Sequence, residues 1–279
     1  MLYLLLTTVS AAAIMIFMRM SNGRAHHRFS LLAVTYFVCA LLSWGHMGFG
    51  LPVPTGEGAA VTLGLGTLNG CIYVTALSLS QYNIPRNGVV LPSVFSRMGG
   101  LIVPLAVSVL LFGEFPRPVQ VAGAVVALVS IVVLNYDKDH MTAGSILPLM
   151  ALFVADGCAT AMAKVFNGFG NSAHHAHFLF YTFGVGSLLC VVILLLRRER
   201  PGLQELIYGI LVGTPNFFAS RFLLKALEIV PAIITYPTRC VGSIAIVAIA
   251  GLLFFGERLK KHQWAAMAAI CGAVVLLNL

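Results

Sequence analysis

Three charged residues fall inside otherwise apolar stretches of this chain: Arg97, Arg239 and Asp156. A guanidinium presents a planar fork of donors that matches a carboxylate or a phosphate, so two of them suit an anionic or zwitterionic ligand. At about 1.5 Å per helical residue, Arg97 stands about 15 Å beyond the polar stretch ending at Asn87, and Arg239 about 12 Å beyond Pro231. The dipeptides Ser96-Arg97 and Thr238-Arg239 are approximate counterparts, one register apart. Two readings are open for each arginine, ligand binding or structural pairing with helix carbonyls or Asp156. Asp156 is likewise open to two readings: a desolvated acid that exchanges protons and couples transport, or a fixed ion-pair partner.

Other residue types add to this set. Asn69 and Asn216 sit near the middle of apolar runs, Asn216 directly after Pro215. Proline breaks the helical ladder, and freed carbonyls facing a cavity are a common binding device, while asparagines also bond between helices. Tyr73, with Tyr36, Tyr181 and Trp44, would wall a cavity or anchor at the lipid interface. Pro92, Pro104 and Pro237 are expected to kink the two arginine-bearing segments. Gly113-Glu114 and Gly256-Glu257 read as structural helix ends. His174, His175 and His177 form a cluster with no carboxylate or thiolate to complete a metal site, and read as a solvated loop. No metal and no cofactor are expected, and the six cysteines lie in apolar runs without metal or disulfide spacing.

The elements that must hold these residues follow from composition. Of 279 residues, 59% are hydrophobic and 9% charged, with a mean hydropathy of +0.95. A water-soluble globule needs far more polar surface than this, so the chain is expected to be an all-α, polytopic membrane protein. The net charge of +8 comes from basic residues in short breaks between apolar runs, which orients helices in a membrane and does not indicate nucleic acid. Runs and breaks give ten expected transmembrane helices, centred near Val9, Ala40, Gly70, Gly100, Val126, Ala155, Val185, Gly213, Ile244 and Met267. The odd-numbered breaks carry eleven Lys and Arg against four in or near the even-numbered ones. That asymmetry places the odd breaks in the cytoplasm and both termini outside.

The two halves repeat. Residues 96–135 lie without gaps on residues 239–278, aligning Gly99 with Gly242, Phe112-Gly113-Glu114 with Phe255-Gly256-Glu257, Gln120 with Gln263 and Asn135 with Asn278. Upstream, the stretch GTLN at 66–69 answers GTPN at 213–216. Each half then holds five helices, 1–137 and 138–279. An odd number of spans inserts the second copy upside down, giving two inverted five-helix repeats, an architecture suited to alternating access.

The stretch ALEIVPAIITYP at 226–237 with LLFFGERL at 252–259, echoed by ALSLSQYNIP at 76–85 and LLFGEF at 110–115, resembles the paired EamA domains of the drug/metabolite transporter superfamily. The first copy departs from the pattern at Phe115-Pro116, where a basic-apolar step follows the glutamate in the family. The resemblance implies ten helices, a central cavity and small-metabolite cargo, very often exported.

The expected function is therefore secondary transport of small polar, zwitterionic or anionic metabolites, with proton coupling or exchange as the driving step. No P-loop pattern is present for direct use of ATP. The expected binding residues are Arg97, Arg239, Asn69, Asn216 and Tyr73. The expected setting is a bacterial inner or plasma membrane, with the chain a monomer or weak homodimer. The rival readings are a lipid flippase and a lipid-modifying membrane enzyme. An enzyme is not expected, since the nine acids are scattered instead of converging.

Overall fold

The structure is a computed structural model that describes residues 1–21, 24, 27–87, 90–134, 146–199, 201–254 and 261–278. The expected half boundary at 137/138 and the residues Gly256 and Glu257 lie outside the described residues. Among the described residues the fold is all-helical: α1 (Leu2–Ser21), α2 (Arg28–His46), α3 (Ala59–Asn87), α4 (Val90–Phe112), α5 (Pro118–Leu134), α6 (Ile146–Phe169), α7 (His175–Arg197), α8 (Leu203–Ile229), α9 (Ala232–Phe254) and α10 (Lys261–Asn278). A 3₁₀ turn, Ser172–His174, precedes α7. By length and composition, eight of these segments can cross a membrane, α1–α4 and α6–α9, and α5 is a shorter apolar helix. Leu110 and Leu196 are each 80% exposed, and side chains so apolar at such exposure belong against lipid.

The helices form two compact units. The first comprises Met1–Val74 and Val165–Ala226, the second Thr75–Lys164 and Leu227–Leu279. Each unit draws helices from both halves of the sequence. In the first, α2 packs along α7. In the second, α5 packs along α10 and α4 along α9. Its core is made of Leu101, Ala127, Ile131, Val241, Ile244 and Ala273, in which Leu101 and Ile244 are repeat counterparts.

Glycines permit the closest approaches. In the first unit, a Cβ on Gly66 would lie 2.8 Å from Tyr181 Cβ of α7, and one on Gly213 would lie 2.8 Å from the Thr35 carbonyl oxygen of α2. In the second, a Cβ on Gly99 would lie 2.1 Å from the Phe153 carbonyl oxygen, seating α4 directly on the α6 backbone. Small residues at crossings let backbones meet in this way where lipid supplies no hydrophobic drive.

Several expected breaks are helical. Helix α3 continues to Asn87 through Pro85, because the polar side chains there find partners: Asn83 Nδ2 donates to the carbonyls of Leu79 at 2.8 Å and Pro148 at 2.9 Å, and Asn87 Nδ2 to Asn83 Oδ1 at 2.9 Å. Pro92 falls in the first turn of α4, where its missing N–H has no intrahelical partner to lose, so it starts the helix instead of kinking it. Pro104, Pro215 and Pro237 do lie inside helices.

The end of α4 ties three helices together. Gly113 takes a left-handed backbone, φ 64°, and its N–H donates to the Val109 carbonyl at 3.2 Å, ending the helix as glycine favours. The next residue, Glu114, accepts a charge-assisted bond from Lys164 Nζ of α6 on Oε1 and the Ala232 N–H, the first of α9, at 3.0 Å on Oε2. A carboxylate at a helix N-terminus also opposes the positive end of the macrodipole.

Two outcomes follow for unfolding measured in detergent. Gly99→Ala loses about 1–3 kcal/mol through overpacking, whereas Gly64→Ala in α3, with nothing within 4 Å of the new Cβ, holds or gains slightly. Glu114→Ala loses about 1.5–3 kcal/mol by stranding Lys164 and the Ala232 N–H, and adding Lys164→Met restores part of it by removing the unpaired ammonium.

Candidate functional site

The second unit brings Arg97 of α4, Arg239 of α9 and Asp156 of α6 around one point. All three act electrostatically on the Cys240 thiol. The Asp156 carboxylate accepts its hydrogen bond from Ser96 Oγ at 2.6 Å, a residue of α4 next to Arg97. Gly100, one helical turn on, leaves room beside this pair: a Cβ there would lie 3.9 Å from Asp156 Oδ2 and 3.5 Å from Thr160 Oγ1. Thr160 Oγ1 donates back to the Asp156 carbonyl at 2.9 Å, and the Tyr236 hydroxyl donates to the Thr160 carbonyl at 3.2 Å. These bonds hold α9 against α6 below the charged groups.

The Arg239 guanidinium is less well provided. Arg239 Nε is buried and has no hydrogen-bond partner. Pro237, two residues earlier in α9, has no N–H to donate to the carbonyl four residues back. A buried, unpaired guanidinium donor loses hydration without recovering a bond, which is expensive unless a ligand supplies the acceptor. The site therefore holds two fixed positive groups, a carboxylate already engaged by a serine, and a thiol. It can take a carboxylate or phosphate on the arginines, with an amine on the acid.

The remaining sequence candidates stand in the first unit. Asn69 Nδ2 reaches Thr182 Oγ1 of α7 at 3.5 Å, while its Oδ1 is buried without a partner. The Asn216 side chain meets the Cys39 thiol, which itself donates to the Gly213 carbonyl at 3.2 Å. Tyr73 joins Tyr36 and Phe183 in an aromatic cluster with ring centroids 6.0–6.2 Å apart. Trp44 is more exposed, its Nε1 donating to the Gly50 carbonyl at 3.0 Å. Gly113 and Glu114 stand at the α4 terminus, where Glu114 lines an open cavity of about 320 Å³ with Arg117, Gln120 and Pro231.

Sequence reasoning did not single out Ser96 as the partner of Asp156, nor Cys240, Thr160 and Tyr236 as neighbours. The signal available was the hydroxyl residue directly before each arginine, Ser96 and Thr238, since a hydroxyl within a span must bond to something nearby. The histidine cluster is the clearest correction. It is not a solvated loop: His174 and His175 are each only 8% exposed, in the 3₁₀ turn and first turn of α7. They are held there by Thr62 Oγ1, 3.4 Å from His174 Nδ1, and by Asn167 Oδ1, 3.0 Å from His175 Nε2.

Comparison with known proteins bears on this arrangement. A model of the EamA-like transporter family matches residues 144–279. An uncharacterized protein of Haemophilus influenzae (strain ATCC 51907 / DSM 11121 / KW20 / Rd) is 22% identical over 227 residues, which is 79% of this chain and 76% of that protein. A protein known from a crystal structure superposes on 99% of this chain and 94% of its own, with a TM-score of 0.76 and 17% identity, a likeness of fold alone. The family match contains α9 with Arg239, α6 with Asp156, and both second-copy segments that carried the resemblance. Residues 144–279 of this multi-pass membrane protein are thus a domain of the EamA-like transporter family, within the drug/metabolite transporter superfamily.

Proposed function

We propose that the chain is a secondary transporter that moves an anionic or zwitterionic metabolite by alternating access, with Arg97 and Arg239 as the groups that receive the cargo's carboxylate or phosphate. The observation that carries this reading is the buried Arg239 Nε without a partner, next to an acid whose hydrogen bond goes to Ser96.

Alternating access in this reading uses ten transmembrane helices arranged as inverted repeats, 1–137 and 138–279. The packing of α2 on α7, α4 on α9 and α5 on α10 supports it, since repeat-equivalent helices meet across a pseudo-two-fold axis in such folds. So does the matched use of Gly66 and Gly213, one seating α3 on α7 and the other α8 on α2. Asp156 is the coupling acid, export is the working direction, and both termini face outside, following the charge asymmetry of the breaks. Asn69, Asn216 and Tyr73 serve as further cargo contacts. The protein acts as a monomer or weak homodimer in a bacterial inner membrane.

Uptake and counterflow in liposomes, screened with amino acids, nucleosides, organic phosphates and amines, test the function. The expected result is saturable movement of an acid-bearing cargo, weakened about 10–100-fold in Arg239→Gln, the equivalent of a charge-assisted bond worth about 1.5–3 kcal/mol. No movement of any cargo by the folded protein overturns transport, and unchanged transport in both Arg97→Gln and Arg239→Gln removes the arginines from the site. Asp156→Asn is expected to abolish accumulation driven by a pH gradient while leaving counterflow intact. Gradient-driven accumulation that persists in this variant assigns coupling elsewhere.

A further inference from the structure

The buried histidines line a second cavity, in the first unit, that the transport reading does not use. It has a volume of about 490 Å³ and is walled by His46 of α2, His174, His175 and His177 at the start of α7, and Lys225 of α8, with Met47, Leu51 and Val53 on its apolar side. A volume in this range holds a small organic molecule. We infer that this cavity is a binding site for a small organic anion, a carboxylate with an apolar body, separate from the Arg97 and Arg239 site.

The sign of the charge around it is uniform. Lys225 and, acting on His46 from α8, Arg221 are cationic, the histidines join them in acid, and among the described residues no carboxylate lines the cavity. The first turn of α7 adds backbone N–H groups and the positive end of its dipole. Among the described residues, the hydrogen-bonding groups that α3 and α6 bring to the histidines are the neutral Thr62 and Asn167. His174 and His177 stand 5.5 Å apart, edge to face, and His177 Nδ1 is buried without a hydrogen-bond partner.

A metal is the other ligand that histidines suggest. Among the described residues, no group of three His, Cys, Asp or Glu side chains is placed to hold one. An anion fits the geometry better, because separate cationic groups around a space of this size meet a carboxylate without converging on one point. The apolar side, Met47, Leu51 and Val53, then receives the rest of the molecule. Imidazoles gain charge in acid, so the site binds its anion more tightly at lower pH. The breaks that form it, 52–58 and 166–177, are both of the basic-poor set, which under the proposed orientation opens the cavity to the outside.

Equilibrium dialysis of the detergent-solubilised full chain against radiolabelled benzoate tests this, with benzamide as the uncharged isostere. Benzoate is expected to bind about tenfold more tightly at about pH 5.5 than at about pH 7.5, as linkage to protonation requires, and benzamide to bind at neither. His46→Gln and His177→Gln are each expected to weaken the acid-strengthened benzoate binding at least about threefold, a fraction of a charge-assisted bond, while Arg239→Gln leaves that acid-strengthened component in place. His46 is exposed, so its variant carries the test if His177→Gln does not fold. The inference is overturned by equal binding of benzamide, by binding that ignores pH, by binding lost in Arg239→Gln but kept in both histidine variants, or by Zn²⁺ competing benzoate away. Failure of transport in liposomes with the benzoate pattern intact would sink the transport reading and leave this site standing.

Discussion

Hydrocarbon offers no hydrogen bonds, so every polar group within a span must be satisfied by the protein itself. Most of the structure obeys this through local means. The hydroxyls of Thr8, Thr35, Ser43, Thr62, Ser130, Thr160 and Thr214 each donate to the carbonyl four residues back, which hides the group inside its own helix. Against that background the unpaired atoms stand out. Those of Ser30 and Ser108 are hydroxyls, comparatively cheap to desolvate, whereas the Arg239 Nε belongs to a group that stays charged. That donor is costly to leave unpaired, because its group cannot shed its charge.

Much of the architecture was legible in the sequence because membrane helices announce themselves by composition. The ten apolar runs correspond to the ten helices among the described residues, and the arginines and the acid were visible because charge is rare in such runs. Helix ends were less legible. Polarity in the stretch 81–87 signals a break, yet Asn83 and Asn87 satisfy each other and the Pro148 carbonyl, so the helix runs on. A polar residue marks the end of a helix only if it seeks water, and sequence does not say which partner it finds.

The site was half legible for a similar reason. Arg97, Arg239 and Asp156 were chosen by type, and their convergence is a tertiary fact that no spacing along a single helix encodes. Ser96 donates to Asp156, and a serine beside an arginine carries no such message by itself. The histidines were misjudged because a His-rich stretch between apolar runs has the composition of a loop, while Asn171, accepting the Ala173 N–H at 3.0 Å, starts a turn that buries them. The compact units draw helices from both halves of the sequence, packing α2 on α7, α4 on α9 and α5 on α10, which no local pattern encodes.

Helix α3 is 29 residues long, about 43 Å at the usual rise, against a hydrocarbon layer of about 30 Å. The excess of about 13 Å has to be absorbed by inclination or by carrying the last turns into the headgroups. Its far end is not free to fray, because Asn83 is fastened to the start of α6. Membrane thickness therefore acts on this helix at a point where it is anchored, and a thinner or thicker bilayer presses on α6, the helix that holds Asp156. The lipid composition of the host membrane becomes a mechanical variable of the charged site.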